Sequence, residues 1–282
     1  MSQPSADANA QDLSLRLRQM GYVIIENLIP RKDATSMADR LMEMMSRRED
    51  ADAPFQVMER LFDELDPADD ELFLTLVTHP LVHSLVQSLV GNNFQMVGPG
   101  VVYRKPGCTT GLGLHADVPL PSFAEEGLPT PKDVCFMVNT IWMLTDFSHK
   151  NGATRLLPCS HRFGNVPNKW PDPETGELRY VSEEIRQFRA QLESEGDDQM
   201  VTAEGPAGSI VVFHGAMWHT PGPNLTKDEH RIGLSAGYVP QWLDTVQCPW
   251  GRKSLMTRAV RDRMPKFVQE MNRRVYENYP DE

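Results

Sequence analysis

Apolar and polar positions along this chain fall into two regimes: helical spacing in the first third, and short β-type runs after it. Leu13, Leu15 and Leu17 lead into Met20-Gly21, where a short helix is expected to end at the glycine. Tyr22-Val-Ile-Ile-Glu-Asn-Leu28 reads as a strand closed by Pro30. Asp33 suits the N-cap of a helix with Met37, Leu41, Met44 and Met45 on one face, the methionines serving as core filler. Residues 47–53 are charged and read as a loop. Helical spacing resumes at Asp66-Pro67, a cap followed by a first-turn proline, and runs to Val77. It continues through Leu81, Leu85, Val86 and Leu89 until Gly91 stops it.

From Phe94 the period changes. Val97, Val101-Val-Tyr103, residues 134–144, 154–157, 209–213 and 232–239 are β-type runs separated by turn-rich segments. Helices followed by many short strands predict an α+β, mainly β chain whose strands close into a barrel or a double-sheet sandwich. A polar insertion at about 165–200 carries Pro167, Pro171, Pro173 and Gly176, then a charged helical run from Ser182 to Ser194. Its length and prolines suggest a lid that sets substrate choice. The stretch 258–276 has the pattern of a closing amphipathic helix, kinked or restarted at Pro265. Residues 1–10 are expected to be a disordered tail, and 11–282 a single domain.

Charge narrows the partners. With 28 Lys and Arg against 39 Asp and Glu, the net charge of −11 disfavours nucleic acid and anionic membrane surfaces. No apolar run approaches a membrane span, and the N-terminus has no signal-peptide pattern. Cys108, Cys135, Cys159 and Cys248 have no C-x-x-C spacing and read as reduced thiols, which points to a cytoplasmic protein. The oligomeric state is not written in the sequence.

The chemistry centres on Gly111-Leu-Gly-Leu-His115-Ala-Asp117 and the distant Met217-Trp-His219. His115 and Asp117 are two apart, so on an extended strand they share a face. With His219 they form the two-histidine, one-carboxylate set that fills one face of an octahedral metal in non-haem Fe(II) oxygenases. His214, also at a strand end, is a rival for the third position. His161 and Arg155 read as groups that satisfy a tight loop, His149 and His230 as exposed, and His79 and His83 as surface or interface histidines. Asn139 and Trp142 lie on opposite faces of one strand, so at most one faces a substrate pocket.

Three further segments travel with these residues: Asn151-Gly-Ala-Thr-Arg-Leu-Leu-Pro-Cys-Ser-His161, Pro206-Ala-Gly-Ser-Ile-Val-Val-Phe-His-Gly-Ala-Met-Trp-His219, and Thr220-Pro-Gly-Pro-Asn224 running on to Arg231-Ile-Gly-Leu. This ordered set, with the opening strand Gly21-Tyr-Val-Ile-Ile-Glu-Asn-Leu, resembles the phytanoyl-CoA dioxygenase family of Fe(II)/2-oxoglutarate oxygenases over residues 15–240. The resemblance implies a double-stranded β-helix, a jelly-roll of cupin type, backed by N-terminal helices and sealed by a C-terminal one. It implies His115, Asp117 and His219 as catalytic iron ligands, with 2-oxoglutarate and O2 as co-substrates. Arg231 would pair with the distal carboxylate of 2-oxoglutarate, helped by the Thr154 hydroxyl. The chain departs from the family pattern at Gly113, where glutamine is frequent, and at Pro221, where a hydroxyl residue is frequent.

The implied reaction is oxidation of an unactivated carbon in a small organic molecule such as a natural-product intermediate, with hydroxylation first among the outcomes. Related halogenases have a small residue in place of the ligand carboxylate, so Asp117 disfavours halogen transfer. Desaturation, epoxidation and endoperoxidation remain open on the same cofactors. So does a non-catalytic jelly-roll that binds a small molecule, and a zinc hydrolase remains a more distant reading. For a CoA thioester, the chain offers no clustered Lys/Arg run suited to phosphates.

Overall fold

The computed structural model describes residues 6–117, 134–164, 166–167, 169–171, 175, 177–180, 183–194, 199–243 and 256–274. The helical layer comes first: α1 (Ala6–Met20), α2 (Arg31–Met45), the single turn α3 (Leu61–Glu64), α4 (Asp70–Val77) and α5 (Pro80–Val90). Two strands are threaded through it, β1 (Tyr22–Ile25) and β2 (Phe55–Met58). There follow β3 (Phe94–Arg104), β4 (Val138–Met143), β5 (Thr154–Leu156), β6 (Lys169–Pro171), β7 (Leu178–Tyr180) and α6 (Glu183–Ser194). The chain continues through β8 (Val201–Thr202), β9 (Ile210–His214), β10 (His219–Pro221), β11 (Arg231–Pro240), α7 (Arg258–Arg263) and α8 (Lys266–Met271).

Strand order is β1-β9-β4-β11-β3-β2 in the main sheet and β10-β5-β8 in the minor one, with every pairing antiparallel. A main and a minor antiparallel sheet, with the chain crossing between them, is the expected double-stranded β-helix. The helices cover one face of the main sheet. Val138 and Trp142 of β4, and Ile232, Leu234, Ala236 and Tyr238 of β11, join one core with Phe73, Leu76, Val77, Val82, Leu85 and Val86 of α4 and α5. Each such buried aliphatic side chain contributes about 1.5–3 kcal/mol. The end of α4 shows why the layers lock. Its last carbonyls have no helical partner, and two sheet side chains supply donors: Trp142 Nε1 to Leu76 O at 3.1 Å and the Tyr238 hydroxyl to Val77 O at 3.2 Å.

Most helix ends fall where the pattern put them, but α2 starts at Arg31 with Pro30 at its N-cap, so Asp33 sits in its first turn and does not cap it. The Asp66 side chain accepts from Ala68 N at 2.9 Å, and Gly91 ends α5 at φ +88°, a left-handed value that glycine adopts without strain. Pro265 separates α7 from α8, so the C-terminal helix is restarted as expected. His83 and His79 are half-buried interface groups: His83 Nε2 lies 2.8 Å from Val77 O, and the His79 ring lies 5.7 Å from that of Trp142.

Four further expectations change. Residues 6–10 extend α1, so the stretch expected to be a disordered tail is helical from Ala6. β2 lies between the loop at 47–53 and the helical run from Asp66, where no strand was expected, and pairs with β3 at the sheet edge. The run 134–144 forms a strand only from Val138 to Met143. The fourth concerns the insertion. Ile185 and Leu192 of α6 pack with Leu114, Ala116, Leu157, Val166 and Trp218, and Phe188 sits against them. Leu114 and Ala116 alternate with His115 and Asp117, and Trp218 precedes His219. The described part of the insertion therefore backs the strands that carry the triad and does not cover it. Among the described residues no single helix is long and apolar enough to cross a membrane.

Candidate metal centre and carboxylate pocket

His115, Asp117 and His219 come together at one end of the barrel, with one ligand atom from each within 4.8 Å of the others. Backbone pairing sets this up. His115 N donates to His219 O at 2.9 Å and His219 N to His115 O at 2.8 Å, a reciprocal antiparallel pair. Asp117 N then donates to Gly215 O at 2.8 Å, holding the next residue of that face in register. On its other side His219 pairs with Leu156 of β5. The His219 strand is thus fixed from both edges.

The side chains are oriented for a metal. The Nδ1 atoms of His115 and His219 lie 2.7 Å from Gly113 O and 2.9 Å from Met217 O, which sets the tautomer and leaves each Nε2 facing Asp117. His115 Nε2 is 3.8 Å from Asp117 Oδ1, and His219 Nε2 is 3.4 Å from Asp117 Oδ2. Asn139 Nδ2 donates to Asp117 Oδ2 at 2.8 Å. Burial presses the Asp117 carboxyl upward, yet His219, then His115 and the Asn139 amide, hold it below the usual carboxylate range. Burial followed by the charge of His219 pushes His115 down to about 4, against the pull of Asp117. Burial acts to lower His219 too, but the Asp117 carboxylate outweighs it and the net shift is upward. A carboxylate kept ionised beside imidazoles whose Nε2 atoms converge is a donor set that fits a divalent metal.

His214 is elsewhere. Its ring stacks 5.1 Å from that of His161, and its Nδ1 accepts from Ala216 N at 3.0 Å. Burial and then His161 push it down to about 3. His161 reaches back to Arg18 O at 3.1 Å, the loop-satisfying task expected of it. His149 and His230 are exposed, and His230 meets the Tyr103 hydroxyl at 2.6 Å.

The cavity beside the triad is lined by Asn139, Thr154 and Arg231, by Phe55 and Val57 of β2, and by the side-chain-poor positions Gly98, Gly100, Ser235 and Gly237. Arg231 is 1% exposed, and its Nη2 donates to the Thr154 hydroxyl at 2.8 Å. Its Nε and Nη1 are buried without a partner among the described residues, and its guanidinium lies over Phe147 at 4.3 Å. A buried guanidinium with idle donors is shaped for a carboxylate. Trp142 is not part of this cavity; its indole faces the helices, so the expectation that it is a substrate contact is corrected. Asn139 does face the cavity, and its amide also holds the Asp117 carboxylate.

The two departures from the family pattern lie beside the site. A Cβ on Gly113 would lie 2.7 Å from Arg189 Nη2, and Arg189 Nη1 donates to Leu114 O at 2.9 Å. The α6 arginine occupies the space a longer side chain would need. Pro221 lines the cavity itself. Sequence reasoning missed β2 as a cavity wall, because Phe55-Gln-Val-Met58 is too short to show a strand's period. Among the described residues Cys108, Cys135 and Cys159 are free thiols; Cys248 lies outside them.

Comparison with known proteins agrees with this geometry. The phytanoyl-CoA dioxygenase (PhyH) profile matches residues 17–233. Dioxygenase af480 of Aspergillus fumigatus is 28% identical over 242 residues, covering 82% of this chain and 67% of its own length. The Fe(II)/2-oxoglutarate-dependent dioxygenase nvfF of Aspergillus novofumigatus is 28% identical over 199 residues, covering 70% of this chain and 55% of its own. Among solved structures, the non-heme α-ketoglutarate-dependent epimerase SnoN from nogalamycin biosynthesis superposes with a TM-score of 0.56 at 18% identity, covering 83% of this chain and 82% of that one. HygX from Streptomyces hygroscopicus, with nickel and 2-oxoglutarate bound, gives 0.58 at 16%, covering 82% and 87%. The structural matches establish the fold, and the profile establishes the lineage: this chain belongs to the phytanoyl-CoA dioxygenase family of Fe(II)- and 2-oxoglutarate-dependent oxygenases.

Proposed function

We propose that this chain hydroxylates an unactivated carbon of a small, largely uncharged organic molecule, with His115, Asp117 and His219 binding Fe(II) and Arg231 with Thr154 binding 2-oxoglutarate. The observation that carries the reading is the meeting, in one cavity, of a converging His-Asp-His set and a buried guanidinium whose Nε and Nη1 have no partner among the described residues. Fe(II) with 2-oxoglutarate and O2 supplies the oxidising power, yielding succinate and carbon dioxide.

The protein's own residues supply geometry. The backbone carbonyls of Gly113 and Met217 hold the imidazole protons on Nδ1 and so present Nε2. The Asn139 amide holds Asp117 Oδ2. Thr154 accepts from Arg231, which leaves its own hydroxyl proton to donate to a carboxylate. Phe213, edge-on to His219 with ring centres 4.8 Å apart, helps to exclude water. Apart from the triad, Thr154 and Arg231, the cavity's described lining is apolar except for Glu59, Asn139, Thr140 and Ser235, and Arg231 is the one Lys or Arg among its described residues. That lining favours a neutral molecule over a CoA thioester. SnoN in complex with nogalamycin RO and HygX with hygromycin B supply precedents of natural-product ligands on this fold.

An anaerobic titration of the metal-free protein with Fe(II) and 2-oxoglutarate tests the site. A weak visible charge-transfer band is expected in wild type and in His214→Ala, and is expected to vanish in His219→Ala. Absence of the band in wild type with iron bound would remove 2-oxoglutarate from the reading. Product mass decides the outcome: one added oxygen supports hydroxylation, and loss of two hydrogens replaces it with desaturation.

A further inference from the structure

The inner face of the main sheet holds a second guanidinium that the reading above does not use. Arg104, the last residue of β3, stands directly across the ladder from Arg231, so both side chains leave the sheet on the same face. Each is 1% exposed. Arg104 lies over Phe55, 5.3 Å from the ring centre, and its Nη2 donates to Cys108 O at 3.1 Å. That carbonyl also accepts the Asn224 backbone N–H at 2.8 Å, so Arg104 is held by a fixed acceptor. Glycines make room for it: a Cβ on Gly111 would lie 2.6 Å from Arg104 Nη1, and one on Gly152 would lie 3.0 Å from its Nε.

Arg104 has the same deficit as Arg231. Its Nε and Nη1 are buried without a partner among the described residues. Two buried guanidiniums on facing residues repel each other, and burial followed by the charge of Arg104 pushes Arg231 down to about 9. At neutral pH both stay charged. Such a pair is costly unless an anion completes it.

We propose that Arg104 is a positioning residue of the co-substrate pocket, the second of two adjacent cations that make the pocket select a 2-oxo acid with a distal carboxylate. This rests on the assignment of Arg231 as the carboxylate's partner. The carboxylate pairs with Arg231, and Arg104 behind it deepens the positive potential that draws the anion in. A 2-oxo acid of the same carbon length without that carboxylate leaves both cations uncompensated and is refused.

The test compares wild type with Arg104→Gln, Arg104→Lys and Arg231→Gln in two measurements. One is the thermal stabilisation of metal-free protein by succinate. The other is the apparent affinity of the anaerobic Fe(II) protein for 2-oxoglutarate and for 2-oxopentanoate. Arg104→Gln is expected to weaken 2-oxoglutarate by about tenfold or more, to leave 2-oxopentanoate unchanged, and to reduce the shift with succinate. Arg104→Lys is expected to restore most of the selectivity. A merely structural Arg104 would lower the melting temperature and keep the wild-type ratio of the two affinities, which would overturn the proposal. If Arg231→Gln weakens 2-oxoglutarate while Arg104→Gln keeps the wild-type ratio, the inference about Arg104 alone falls. If Arg231→Gln has no effect, the carboxylate assignment beneath it falls. Should Arg104→Gln not fold, the length-matched Arg104→Met answers the same question.

Discussion

The two faces of the main sheet are built from alternate residues of the same strands, and they solve opposite problems. On the helix side, Trp142, Leu234 and Tyr238 are large and buried, and the Trp142 indole and Tyr238 hydroxyl are both satisfied by α4 carbonyls. On the barrel side, the neighbouring positions are Asn139, Ile141, Gly233, Ser235 and Gly237 on β4 and β11, with Gly100 and Val102 opposite on β3 and Gly98 lining the same cavity at the bulge. There space is left open, and two arginines have donors without a partner among the described residues. One face spends its side chains on cohesion. The other keeps a cavity and buried guanidinium charge.

Mutations should separate the faces cleanly. The largest effect on chemistry is expected from His219→Ala: loss of Fe(II) binding beyond the 10–100-fold typical of an outer-shell change, with the circular dichroism spectrum unchanged. If iron affinity survived, the ligand assignment would be wrong. On the helix face Trp142→Ala should cost about 3–5 kcal/mol, read as a lower urea midpoint, while the folded fraction keeps its affinity for iron. The neighbouring pair sharpens the contrast: Leu234→Ala should cost about 2–5 kcal/mol, whereas Ser235→Ala should stay within about 0.5 kcal/mol. Equal costs would show that the barrel face also works as packed core.

Asn139→Leu probes the boundary between the faces, since it removes the Asp117 hydrogen bond at similar volume. Weakening of Fe(II) by roughly 10–100-fold is expected, measured by competition with a chelator; unchanged affinity would make Asn139 only a wall of the cavity. The smallest effect concerns His214, held neutral in the fold and pushed down to about 3. Because the unfolded imidazole titrates near 6.5, the unfolded state binds the extra proton first. Stability is therefore complete above that pH and declines as the pH falls toward 3. The decline is at most about 1.4 kcal/mol per pH unit for one proton. His214→Gln should flatten the fall in urea midpoint between pH 7 and pH 5. A slope identical to wild type would show that His214 is already protonated in the fold.

Much of this was legible before folding was considered. Period-3.6 spacing found α2, α4 and α5, because it reports which residues share one face of a helix, and short apolar runs bounded by turn residues found β1, β9 and β11. β2 escaped because four residues amid helices carry too little periodicity to separate a strand from a helical turn. The insertion was misplaced for another reason. Length and proline content identify an excursion, but only contacts show that Ile185 and Leu192 rest on Leu114 and Trp218, behind the triad.

By itself the sequence determined the chemical inventory: a His-x-Asp pair that shares a face in an extended strand, a distant histidine, and an arginine at the start of a late strand. It left His214 and His219 as rivals, since both close apolar runs. Tertiary structure brings His219 to His115 through their reciprocal backbone pair and sets His214 apart, its ring tilted against that of His161. It alone placed Arg104 opposite Arg231. Local pattern fixes the side of an element on which a residue lies. Ladder register between distant segments fixes which residues meet, and the functional groups of this protein are assembled by register.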